Sequence, residues 1–191
     1  MLAKSKTGWI FGLWTTAVVF LGAGLMSLHQ PFRSPGSGVL RLAGDRGKGQ
    51  WRTLHVLSGS CGCSQRVLRH LLDHGLTAGV EEEILMLDDR AAYLPGSAEL
   101  LERLQRSGLP VLHIPVEQVP GEIGLQGVPL LVVASPDGRV VYTGGYGSGG
   151  DQAPALLRQA RSGEVPSPLP LVGCAVGLRL KRQSDPFHLK D

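Results

Sequence analysis

Two of the chain's three cysteines sit together in Cys61-Gly62-Cys63, just after the apolar run 54–57 and just before a run of helical spacing. A thiol at a strand-to-helix turn lies at the positive end of a helix dipole, which favours thiolate over thiol and lowers its pKa. That placement makes Cys61 a nucleophile. The third cysteine, Cys174, lies in Val172-Gly173-Cys174-Ala175 and reaches the first two only if the end of the chain folds back. Soft metal binding is the rival chemistry, since two thiolates can hold Cu(I) or zinc. The spacing does not favour it: His70 and His74 fall along the helix, away from its amino terminus, and His188 is in the tail. No metal and no cofactor is expected.

The elements that must position these thiols follow from the hydrophobic pattern. Residues 51–58 form an apolar strand, and 64–74 carry Val67, Leu68, Leu71 and Leu72 at helical spacing. A second strand at 84–87, a helix at 98–105 with Leu100, Leu101 and Leu104 on one face, and a short strand at 111–114 complete a βαβαβ order. Runs 130–134 and 139–143 flank Ser135-Pro136-Asp137-Gly138, an antiparallel hairpin with turn residues where a turn requires them. The glycine-rich run 144–150 reads as a mobile loop and has no phosphate-loop spacing. A last helix is expected at 152–161. His55 and His113 fall in strand runs, as core or edge residues, and His70 and His74 read as a solvated helix face.

Outside this unit the composition changes. From Trp9 to Leu28 there are 20 residues without a charge, long enough to cross a bilayer core, with Lys4 and Lys6 ahead of them. The run is long for a signal peptide and lacks a small-x-small cleavage site, so a retained anchor is expected. Arg33, Arg41, Arg46 and Lys48 follow the span, and the positive-inside count does not orient it; a long downstream domain translocates largely regardless of such charges. The expected organisation is an anchor at 1–28, a flexible tether at 29–50, one domain at 51–163 and an extension at 164–191. Setting Lys4 and Lys6 aside leaves 17 of the 19 basic residues against 16 acidic ones, so charge gives no case for a nucleic-acid partner.

A strand, a cysteine turn and a helix, followed later by Val128-Pro129 and a hairpin, resemble the thioredoxin-like superfamily over about 51–161. The resemblance implies an α/β fold, a three-layer sandwich with a mixed central sheet, here preceded by one membrane helix. It also implies a cis Val128–Pro129 bond beside the cysteines, with Val128 and Pro129 shaping the place where an extended substrate segment binds. In layout the chain is similar to membrane-tethered thiol-disulfide oxidoreductases with an extracytoplasmic, periplasmic domain on the inner or plasma membrane. Cys61 would then attack a substrate disulfide, and a second thiol would resolve the mixed disulfide. The partners implied are a protein thiol or disulfide and a redox partner.

The family's usual Cys-x-x-Cys is not present. With Cys61 in the attacking position, Ser64 takes the resolving position or serves as a helix cap; with Cys63 in the resolving position, the attacking position falls on Ser60. The first register is preferred. Cys63 is the nearer resolving thiol, although a disulfide across one residue is strained, and Cys174 is the other. A non-catalytic module that binds copper, another metal or a partner protein during assembly of a metal centre is the alternative.

Overall fold

The computed structural model describes residues 3–27, 32–44, 49–88, 92–147 and 153–177. The expected end of the anchor at Leu28, loop residues Gly149 and Gly150, and the tail from 178 onward with His188 lie outside the described residues.

The domain is built on a five-stranded mixed sheet. Its strands are β1 (Trp51–Leu57), β2 (Val80–Asp88), β3 (Val111–Pro115), β5 (Leu130–Ala134) and β6 (Val140–Gly144), in the order β3-β2-β1-β5-β6. β1 pairs in parallel with β2, and β2 with β3; β1 pairs antiparallel with β5, and β5 with β6. Parallel neighbours need crossovers, and the sequence supplies them as α2 (Gly62–His74) and α3 (Ser97–Arg106). α4 (Ala153–Arg161) follows the hairpin. This is the α/β, thioredoxin-like arrangement with a mixed central sheet. A second, two-stranded sheet joins β4 (Gly127–Val128) to β7 (Cys174–Ala175).

Side chains alternate across the strands, so each strand feeds two cores. Leu57, Ile84, Met86, Leu131 and Val133 meet Leu68, Leu101, Leu104 and Leu157 from the three helices. Leu54, Val56, Leu85, Leu87, Leu130 and Val132 form the other core, which also takes in Val39, Ile123 and Leu171. Each fully buried leucine contributes roughly 1.5–3 kcal/mol relative to leaving it in water. The second face is closed not by α-helices but by 3-10 turns at Ser37–Ala43 and Gly121–Ile123 and by the carboxy-terminal segment.

Two expectations change, and a third is left without support. First, the segment expected to be a tether packs against the domain over its described part, 32–44. Val39 and Ala43 are buried, and Phe32 bridges to Leu171. The cause is Arg52, buried in β1, which donates to the carbonyls of Gly44 (2.8 Å) and Ala43 (3.1 Å) and forms an ion pair with Glu83. The ordered domain therefore begins before Trp51. Second, β2 is longer than 84–87 because the acidic residues before it also pair, with Glu82 and Glu83 buried. Third, no helix among the described residues is long and apolar enough to cross a membrane. The segment expected to span forms α1 (Ala3–Ser27), where Trp9, Phe11, Trp14, Val18, Phe20 and Leu21 all stand exposed.

Candidate active site

β1 ends at Leu57 and α2 begins at Gly62; the turn between them carries the site. It is held at both sides. The Cys61 N–H donates to the Ser58 carbonyl (3.2 Å), the Ser58 N–H donates to the Ser64 hydroxyl (3.2 Å), and the Leu94 N–H donates to the Gly59 carbonyl (2.8 Å). Cys61 has extended backbone angles and is the N-cap residue of α2; its carbonyl accepts the first helical bond, from the Gln65 N–H at 3.0 Å. Ser64 is therefore not the cap: it lies in the first turn, fully buried, with its hydroxyl turned back to the turn that carries Cys61.

Cys61 is wholly shielded from solvent (0 % exposed), and its thiol donates to the Val128 carbonyl at 3.7 Å. Val128–Pro129 is a cis peptide bond, as the resemblance implied, and both residues are buried beside Cys61. The structure thus brings Cys61, Ser64, Val128 and Pro129 to one place. It also brings Cys174. β7 pairs antiparallel with β4 so that Cys174 stands opposite Val128, and the Cys174 thiol hydrogen-bonds Cys61.

The electrostatics distinguish the thiols. Cys61 is lowered from 9.0 to about 6, chiefly by the Cys174 hydrogen bond, with help from the Ser64 N–H and hydroxyl and the Cys63 N–H, against the opposing effect of burial. The neutral thiol makes no capping bond to α2, so these N–H groups act on the ionised sulfur. Cys63 moves the other way: burial raises it first, and the neighbouring Cys61 charge raises it further, while Arg66, whose Nη2 lies 3.9 Å from its sulfur, partly offsets both. Cys63 is half-buried and lines a groove of about 550 Å³ with Arg66, Tyr146, Leu169 and Val172. The more exposed thiol is thus the weaker acid and the buried one the stronger. Among the described residues no group of three or more His, Cys, Asp and Glu side chains gathers to hold a metal ion.

The histidines stand apart from this chemistry. His55 is buried in β1 with Nδ1 on the Tyr146 hydroxyl, and burial, with the charge of His70 second, lowers it from 6.5 to about 3. His113 is at the edge, near Asp88, and the rings of His70 and His74 lie 3.9 Å apart on α2. Tyr146 and its neighbours Gly144 and Gly145 are buried, so the described start of the run read as a mobile loop is part of the core.

No family model matches the chain, and no curated protein matches it by sequence. Solved structures do. An uncharacterized conserved protein from Geobacillus kaustophilus is 18 % identical with a TM-score of 0.53, covering 78 % of this chain and 89 % of its own. At that identity the likeness is one of fold. A hypothetical protein from Sinorhizobium meliloti is 16 % identical (TM-score 0.49, 78 % of this chain and 92 % of that one). The thioredoxin domain of a thiol-disulfide oxidoreductase from Bacteroides vulgatus is 14 % identical (TM-score 0.36, 49 % and 68 %). With TM-scores under 0.5, these two add no argument to the first.

Sequence reasoning did not find the pairing of β4 with β7, the His55–Tyr146 contact or the Arg52–Glu83 pair. Gly173 was the available signal for the first: a Cβ there would fall on the Val128 carbonyl, so only glycine lets the two backbones meet.

Proposed function

We propose that this chain is a membrane-anchored thiol-disulfide oxidoreductase of the thioredoxin-like superfamily, acting on protein disulfides or thiols. The observation that carries the reading is Cys61: a thiol at the amino end of α2, beside the Val128 carbonyl, with a second thiol in hydrogen-bond contact and a pKa near 6. At neutral pH such a thiol is mostly thiolate, the form that attacks a disulfide. The Cys61 sulfur bonds to one sulfur of the substrate disulfide, the other sulfur leaves as thiolate and takes a proton from water, and a second thiol then displaces the bound one. Run in reverse, the same steps oxidise a substrate dithiol.

Anchoring rests on the uncharged run from Trp9 to Leu28 and on the exposed apolar side chains of α1, which find no cover on the domain. We place the domain on the extracytoplasmic side of the inner or plasma membrane, where disulfides persist and their exchange is useful.

The test uses the full chain in detergent micelles, equilibrated across ratios of reduced to oxidised glutathione, acid-quenched and counted for free thiols by maleimide mass shift. The expected result is a reversible loss of two thiols that Cys61→Ser abolishes; an unchanged thiol count at every ratio sinks the reading. In parallel, the chain in membranes should resist alkaline carbonate and yield only to detergent. Release by carbonate removes the anchor.

A further inference from the structure

Cys61 is fully buried, and among the described residues the carboxy-terminal strand β7 brings a second cysteine beside it. Cys174 stands opposite Val128 in the β4–β7 ladder, and Gly173 beside it lies against the Val128 carbonyl that the Cys61 thiol faces. The segment around it is fixed at three further points. The Gly145 N–H donates to the Leu169 carbonyl, the Phe32 N–H to the Leu171 carbonyl and the Val176 N–H to the Gln126 carbonyl, each at 3.0 Å, and Leu171 is fully buried. Two glycines are shaped to it: a Cβ at Gly145 would strike the Pro170 carbonyl, and one at Gly173 the Val128 carbonyl. A substrate disulfide has no path to Cys61 while β7 is in place. Once β7 leaves, the backbone of Gly127 and Val128 is an open strand edge, and an extended segment carrying a cysteine can take up the pairing that β7 gave up.

We propose, resting on the oxidoreductase reading above, that β7 is a tethered substrate mimic. Cys174 occupies the position of a substrate cysteine, and after turnover it resolves the mixed disulfide at Cys61 and closes the site as a Cys61–Cys174 disulfide.

A protein disulfide is the oxidant. With β7 away the Cys174 hydrogen bond is lost and the Ser64 and Cys63 N–H groups remain to favour the Cys61 thiolate; that thiolate bonds to one of the substrate sulfurs, and the other leaves as a thiolate and is protonated by water. β7 then returns, the Cys174 thiol loses its proton to water and its sulfur attacks the Cys61 sulfur, and the second substrate sulfur leaves as a thiolate and is protonated by water. The substrate gains two electrons and two protons; Cys61 and Cys174 lose them. Cys63 is the poorer resolver on geometry, since a bond from Cys61 to Cys63 must close across the single residue Gly62 in the first turn of a helix. The ladder holding β7 is only two residue pairs long, which suits a strand that must come away. The substrates this edge selects are extended segments with small residues beside the cysteine, as Gly173 and Ala175 flank Cys174.

The test maps the disulfide in the oxidised full chain. Trypsin leaves Cys61 and Cys63 on one peptide, 53–66, and Cys174 on another, 162–179. Oxidised wild type and Cys63→Ser should both yield these two peptides linked, and Cys174→Ser should lose the internal disulfide and instead hold glutathione on Cys61. A disulfide within 53–66, with Cys174 open to alkylation and the two-electron couple intact in Cys174→Ser, overturns the proposal and leaves the oxidoreductase reading standing. No reversible thiol loss in any variant overturns both. Gly173→Val supplies the second readout: by lifting β7 it should speed labelling of reduced Cys61 by a bulky maleimide at least about tenfold. Unchanged labelling there overturns the proposal even if the linked peptides are found.

Discussion

Replacing Cys174 by alanine should move the acidity of Cys61, and the structure gives the size and the direction of the change. Cys61 is held at about 6 instead of 9.0, and the Cys174 hydrogen bond is the largest single cause. Ser64 and the Cys63 N–H remain in the variant, and so does most of the burial that opposes them. The midpoint should therefore rise by about one to three units, the upper limit being a full return to the free-thiol value. At pH 7 a thiol of pKa about 6 is roughly 90 % ionised and one of pKa about 9 roughly 1 %. The thiolate population would fall by up to ~90-fold. The rate of attack would fall much less, because each thiolate gains reactivity as its pKa rises; with a Brønsted coefficient of about 0.4–0.5, three units return ~15–30-fold, leaving a net loss of ~3–6-fold. The assay is iodoacetamide alkylation of Cys61 against pH, read by mass on peptide 53–66 in a Cys63→Ser background, with thiolate absorbance as a second measure. Cys174→Ser is the control: its hydroxyl can still donate, so it should hold Cys61 acidic while losing the disulfide. The same midpoint in the parent and in Cys174→Ala would refute the reasoning, because Cys174 would then not be the donor that sets it.

Two further outcomes concern the scaffold. Glu83→Ala leaves the buried Arg52 guanidinium without its carboxylate and should cost about 3–5 kcal/mol in denaturant unfolding, whereas replacing the pair by Met and Leu should cost far less; a loss under about 1 kcal/mol for the single variant would contradict a buried pair. His55 is held neutral in the fold down to about pH 3, while in the unfolded chain it takes a proton below 6.5, so the unfolded state binds more protons between those values. Stability should fall as pH falls through that window, by up to ~1.4 kcal/mol per pH unit from this group, and His55→Gln should remove that part of the slope. An identical slope in wild type and His55→Gln would show that His55 titrates normally.

The local pattern of residues determined the strand-turn-helix around Cys61, the order of the crossover helices and the hairpin. Each of these rests on neighbours within a few positions: the period of Val67, Leu68 and Leu71, the turn at 135–138, and a thiol at a helix start. Val128–Pro129 was legible too, through its place ahead of the hairpin. What needed the tertiary structure were contacts whose partners are far apart in sequence. Arg52 draws 32–44 onto the sheet through the carbonyls of Ala43 and Gly44, so glycine- and proline-rich chain that has no pattern of its own becomes ordered. Glu83 enters a strand because a buried guanidinium awaits it, against the ordinary preference of a carboxylate for water. Cys63, nearest to Cys61 in sequence, was the expected resolving thiol, yet the hydrogen bond that makes Cys61 acidic comes from Cys174, 113 positions away. Sequence distance measures only the cost of closing a loop, which grows slowly with length. Which thiol meets Cys61 was decided by backbone pairing between β4 and β7 and by the missing side chain at Gly173, and neither leaves a periodic mark in the sequence.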